Sequence, residues 1–178
     1  RERNIPVTTE TRLFAQLCPS PLVGITGSSG KTTTTTLTAK MLEGSGFRTW
    51  LGGNIGEPLL GRVAQMQPDD RVVLELSSFQ LLYWAAVQGE GISPHVAGIL
   101  NLTPNHLDRH PSLEHYAAAK ANILACQSQE DVAVLNRDDP MTGTWASSGW
   151  VRVAAGAGQD AVAFPIMARV CSFVLSSQ

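Results

Sequence analysis

A chain of 178 residues, 43% apolar and 16% charged, has ordinary globular composition and the length of one domain with a sizeable core. Its net charge of −2, with no lysine- or arginine-rich run, argues against nucleic acid and anionic membrane as partners. Cys18, Cys126 and Cys171 are odd in number and outside any metal-ligand spacing, and neither an apolar signal core nor a run of about 18 apolar residues occurs, so a soluble, cytoplasmic protein with reduced, packing thiols is expected.

Residues 1–20 are polar and punctuated by proline, which reads as a leader or an interdomain connection. An apolar run from Leu22 to Ile25 then feeds Thr26-Gly27-Ser28-Ser29-Gly30-Lys31-Thr32-Thr33, a glycine-rich turn opening a helix. The strict phosphate-loop pattern asks for glycine where Ile25 stands, but the variant keeps a flexible turn residue, the glycine before lysine and the hydroxyl after it. Its backbone amides would cradle phosphate oxygens, Lys31 would neutralise β/γ charge and Thr32 would face Mg²⁺. The helix is predicted over Lys31 to Gly46, with Leu37, Met41 and Leu42 at helical spacing. The threonine run, Thr32 to Thr36, is assigned to the helix start, where hydroxyls can satisfy unpaired amides and meet phosphate or metal.

Further apolar runs at Phe47–Leu51, Val72–Leu76, Val96–Leu100 and Asp131–Leu135 alternate with helical patterns at Glu57–Met66 and Ser112–Gln127. This alternation predicts an α/β fold with a mostly parallel sheet flanked by helices. Ligands of such sheets bind beyond the carboxyl ends of the strands, where the polar clusters Gly27–Thr32, Gly52–Gly56, Glu75–Ser78 and Asn101–Asp108 fall. From Gly156 onward only a short strand at Ser172–Leu175 is legible, so the fold is expected to be incomplete.

Glu75 closes a buried-looking strand, where a carboxylate is costly unless paired or metal-bound; it reads either as a Mg²⁺ ligand alongside Thr32 or as a strand-end carboxylate in water. Asn54 lies in a glycine-rich segment typical of ordinary turns. His106 reads either as a ligand or as a hydrogen-bonding loop residue. Lys120, in Tyr116-Ala117-Ala118-Ala119-Lys120-Ala121, reads on propensity alone as a solvated helix lysine.

Thr26-Gly27-Ser28-Ser29-Gly30-Lys31-Thr32, Gly52-Gly53-Asn54-Ile55-Gly56, Glu75-Leu76-Ser77-Ser78-Phe79-Gln80-Leu81, Asn101-Leu102-Thr103 through His106-Leu107-Asp108, and Ala119-Lys120 together resemble the Mur ligase family in order and spacing. The second and third segments are similar to those of its D-glutamate-adding members. The resemblance implies an ATP-binding central domain over residues 21–155, a poorly assigned tail over 156–178, and flanking uridine-nucleotide and amino-acid domains outside the chain. It further implies that Thr26 to Thr33 hold ATP, that Thr32 and Glu75 bind one Mg²⁺, and that His106 and Lys120 serve a second, Lys120 as a carbamate. Lys31, His106 and Lys120 are the implied catalytic residues, and Asn54 and Ser77 lie near the substrate.

The implied reaction joins UDP-N-acetylmuramoyl-L-alanine to D-glutamate through an acyl phosphate in peptidoglycan synthesis, in a monomer. Two other readings stay open: a non-catalytic nucleotide-binding fragment, and a related ligase with another acceptor.

Overall fold

The computed structural model describes residues 7–84, 91–104, 109–145, 152–153 and 167–173. Parallel strands β1 (Leu22–Thr26), β2 (Thr49–Gly53), β3 (Arg71–Glu75), β4 (Val96–Ile99), β5 (Val132–Asn136), β6 (Arg152–Val153) and β7 (Met167–Phe173) lie in the order β2-β3-β1-β4-β5-β7-β6. The parallel α/β architecture expected from the alternating runs is the one observed.

Val72, Val73 and Leu74 in β3 are all essentially inaccessible, as a central parallel strand covered on both faces requires. Side chains alternate between the faces. Val72 and Leu74 join the larger core with Phe14, Trp84, Tyr116 and Ile123, while Val73 packs with Ile25 and Ala39 under helix α2 (Lys31–Gly44). The larger core is closed by α1 (Glu10–Leu17), the one-turn α3 (Ser78–Leu81), α4 (Leu113–Ala121) and α5 (Thr142–Trp145).

Several local expectations are revised. Within the segment read as a connection, Thr9 caps α1 by accepting from the Arg12 amide at 3.2 Å, and Phe14 carries the helix into the core. In α2 the residues facing the sheet are Thr35 and Ala39, small enough for close approach, whereas Leu37 and Met41 are 58% and 65% exposed. The pattern over Glu57–Met66 yields only a 3₁₀ helix at Leu60–Gln65, since Gly61 and the flanking prolines Pro58 and Pro68 leave too little good helix former. The second strand starts at Thr49 rather than Phe47 because the Phe47 amide closes α2 on the Leu42 carbonyl at 3.1 Å. The pattern over Ser112–Gln127 is α-helical only to Ala121 and continues in turns. The strand read at Ser172–Leu175 is the end of the longer β7, and Leu175 lies outside the described residues.

The parallel register puts the strand ends level. Gly53 pairs with Glu75, Glu75 with Ile25, Thr26 with Ile99, and Ile99 with Leu135, so the loops that follow rise from one edge of the sheet. At that edge Gly53 has φ +96°, and a Cβ there would collide with the Glu75 carbonyl oxygen. We expect Gly53→Ala to destabilise the chain by about 3 kcal/mol in urea denaturation. Gly46→Ala, with φ +91° but open space around its Cβ, should lose only about 1 kcal/mol.

Candidate active site

The loop between β1 and α2 is anchored by a buried threonine. Thr26 donates its hydroxyl to the Leu76 carbonyl at 2.7 Å, locking the start of the loop to the end of β3. Gly30, at φ +76°, turns the chain into α2, which has no side-chain cap. Here the threonine run departs from expectation: instead of capping amides, Thr32 donates to Glu75 and Thr35 bonds back to the Lys31 carbonyl at 2.8 Å. The first turn of α2 thus lacks a side-chain cap on its backbone donors, which an anion site needs open.

Glu75 is 2% exposed and its carboxylate is partnered on both oxygens. The Thr32 hydroxyl donates to Oε2 at 2.7 Å and the Asn54 amide group to Oε1 at 2.9 Å. Asn54 is held in place because Gly53 turns the chain and the Asn54 backbone amide donates to the Glu75 carbonyl at 2.8 Å. Thr32, Asn54 and Glu75, which lie in three separate sequence segments, therefore form one contact group. All three offer oxygen atoms, the donor type that suits a hard divalent cation.

Two lysines close the other side. Lys31 Nζ donates to the carbonyls of Gly27 at 3.0 Å and Ser28 at 3.3 Å; Lys120 Nζ donates to the same Gly27 carbonyl at 3.0 Å and to Thr26 Oγ1 at 3.2 Å. Lys120 is 1% exposed, so it is not the solvated helix lysine that propensity suggested. Its ammonium also sits 4.7 Å from the centre of the Tyr116 ring. Burial lowers its pKa to about 7, helped by the Lys31 charge and opposed by Glu75.

Lys31, Asn54, Ser77, Ser78, Phe79, Tyr116 and Lys120 line a cleft of about 240 Å³. A larger groove of about 380 Å³ runs beside α2 over Val23, Ile25, Val96 and Val134; it is mostly apolar and holds neither lysine, whereas the smaller cleft holds both lysines and the Asn54 that bonds Glu75, so the smaller cleft is the chemical site. Ser77 lines that cleft, but its hydroxyl is engaged in a capping box with Gln80, which opens α3. His106 lies outside the described residues.

Residues outside the candidate site set complete the site. Tyr116 reaches Ser28 Oγ at 3.1 Å through its hydroxyl. Ser78 contacts Nε2 of the buried His110 at 3.0 Å, and His110 contacts His115 through their Nδ1 atoms at 2.9 Å. Asn101 bonds the phosphate loop directly. For Tyr116 the only advance signal was its spacing from Lys120, and helical spacing alone does not say which face meets a loop 88 residues away.

A parallel α/β sheet with a glycine–lysine–threonine loop leading from its central strand into a helix defines the phosphate-loop class of fold. Residues 25–165 match the Mur ligase middle domain model, and the chain belongs to that family. It is 49% identical over 142 residues to a UDP-N-acetylmuramoylalanine–D-glutamate ligase of Clostridium kluyveri, covering 80% of this chain and 30% of that protein. With the ligase of the same name from Acetivibrio thermocellus it shares 49% identity over 146 residues, 82% of this chain and 30% of that one. The chain thus spans under a third of the length of these relatives. The MurF ligase of Thermotoga maritima, solved in complex with ADP, has the same fold at TM-score 0.64 and 22% identity, over 92% of this chain and 34% of its own.

The lowered Lys120 pKa makes a signed prediction. Between about pH 7 and the unfolded lysine value of about 10.4, the unfolded chain binds more protons than the folded one, so Lys120 burdens the fold fully below pH 7 and progressively less as pH rises. In metal-free buffer, Lys120→Met should therefore be more stable than the parent at pH 6 by on the order of 3 kcal/mol, with the difference shrinking toward pH 10 in urea titrations. A difference independent of pH would contradict the burial argument.

Proposed function

We propose that this chain is the ATP-binding portion of a UDP-N-acetylmuramoylalanine–D-glutamate ligase, with residues 21–155 forming the domain core and the muramoyl and glutamate substrates held largely by parts of the enzyme beyond this match. The observation that carries the reading is the buried Glu75 carboxylate, joined to Thr32 of the phosphate loop and to Asn54, which lines a cleft together with two lysines. The similarity to ligases of that name at 49% identity supports the acceptor assignment.

In this reading the loop from Thr26 to Thr33 receives the triphosphate on the open amides of α2. Lys31 leaves its two carbonyl partners for the β/γ oxygens, to which a cation is attracted far more strongly than to a neutral carbonyl. Thr32 and Glu75 would hold Mg²⁺, which neutralises phosphate charge when bound. Asn54 keeps the carboxylate aimed and then lies next to the reacting carboxyl group of the substrate. The substrate carboxylate attacks the γ-phosphorus, the β–γ bridging P–O bond breaks and ADP leaves, and the acyl phosphate is then opened by the amine of D-glutamate, releasing phosphate and a proton. Lys120, with about half its amine neutral near pH 7, is suited to add CO₂ with loss of a proton as a carbamate, which would give it an anionic oxygen ligand in place of an ammonium; His106 is assigned beside it. Catalysis here is positioning plus charge stabilisation. A monomer working without nucleic acid or membrane completes the proposal.

Calorimetric titration of Mg²⁺ and a non-hydrolysable ATP analogue tests the reading on this chain. We expect binding that weakens about 100-fold or more in Lys31→Ala, because a charge-assisted phosphate contact is lost. Glu75→Ala should abolish the Mg²⁺-dependent part of the affinity while leaving weak metal-free binding. A folded chain that binds no nucleotide would reject the assignment. Nucleotide binding without amide formation when both other substrates are supplied would identify the chain as a binding unit that needs the rest of the enzyme to turn over.

A further inference from the structure

Asn101, the second residue after β4, makes a two-way contact with the phosphate loop. Its carboxamide oxygen accepts from the Ser28 amide at 3.0 Å, the Ser29 amide at 2.9 Å and the Ser29 hydroxyl at 3.4 Å, while its Nδ2 donates to the Ser29 carbonyl at 3.2 Å. The Ser28 amide is also shared with the Asn101 backbone carbonyl at 3.0 Å, so the loop continues the β1–β4 ladder by one step.

Asn101 is braced from behind. Asn136 donates to the carbonyl of Leu100 at 2.9 Å, and Asp139 accepts from the amide of Leu102 at 2.9 Å, fixing the residue on each side. Asp139 is fixed in turn by the amides of Met141 and Thr142 at 3.1 and 2.9 Å. The turn after β5 is thereby connected, through one side chain, to the outer limb of the loop.

The consequence is a division of the loop's donors. The amides of Ser28 and Ser29 turn toward β4, the carbonyls of Gly27 and Ser28 turn toward the lysines, and the first amides of α2 are left for an anion. Without the clamp, Ser28 and Ser29 would be an exposed glycine-flanked segment free to rearrange. Binding a triphosphate would then carry the entropy cost of ordering it.

We propose that Asn101 is a positioning residue that holds the phosphate loop in its binding shape before nucleotide arrives and while it is bound. The inference rests on the nucleotide reading above. Asparagine is suited to the task because its short side chain supplies an acceptor and a donor at once. Aspartate would keep the acceptor, lose the donor and place a negative charge beside the triphosphate.

Two measurements on the whole chain decide it. In the nucleotide-free protein, amide hydrogen exchange at Ser29, whose amide bonds the carboxamide oxygen, should speed up about tenfold or more in Asn101→Ala, and unchanged exchange there would overturn the clamp whether or not nucleotide binds. In calorimetry of Mg²⁺ with the ATP analogue, Asn101→Ala should bind about tenfold more weakly at full stoichiometry. Asn101→Asp should bind more weakly still at low ionic strength and recover part of the loss as salt is raised, a response that altered packing alone would not give. Unchanged affinity in Asn101→Ala would overturn the proposal. Tighter binding would also overturn it, since it would mean that the carboxamide competes with phosphate for the same amides. A parent chain that fails to bind would count against the nucleotide reading, and exchange would still judge the clamp.

Discussion

A carboxylate buried at the end of a central strand is the constraint around which this edge of the molecule is built. Glu75 cannot remain ionised in the interior without compensating partners, and the two nearest are supplied by different loops. Thr32 comes from the helix that follows β1 and Asn54 from the turn that follows β2, so satisfying one carboxylate ties three strand ends together. Gly53 makes this possible, because a side chain there would occupy the space of the Glu75 carbonyl.

Opposite that carboxylate the charge balance is reversed. Lys31 and Lys120 converge on one carbonyl oxygen, that of Gly27, which compensates two ammonium groups poorly. Burial and mutual repulsion push Lys120 toward its neutral form. The positive side of the cleft is thus held in a state that an incoming anion relieves, while the negative side presents oxygen donors to a cation. A charged substrate accompanied by a divalent ion fits both halves at once, whereas a neutral ligand would leave both unrelieved.

The glycine-rich loop, the alternation of strands and helices and the placing of polar clusters at strand ends were legible because each is written in local spacing: apolar runs of strand length, glycines at a turn, lysine and threonine at a helix start. Glu75 and Asn54 were also legible as candidates, since a charge in an apolar run and an asparagine among glycines stand out from their surroundings. Lys120 was not legible on its own, because a lysine in an alanine-rich helix has the same local pattern whether it faces water or the interior. Leu37 and Met41 misled for a related reason: helical spacing identifies a face but not its direction, and close approach of α2 to the sheet selected Thr35 and Ala39 instead.

By itself the sequence determined the class of fold and where its glycine-rich loop falls, since strand and helix periodicities and turn residues act over a few positions. Only the tertiary structure decided which distant side chains meet. Asn101 clamping Ser29 depends on the parallel register of β1 and β4, and Tyr116 touching Ser28 and Lys120 sharing the Gly27 carbonyl depend on the packing of α4 against the sheet. Those contacts are set by packing many side chains at once, and no local pattern encodes them.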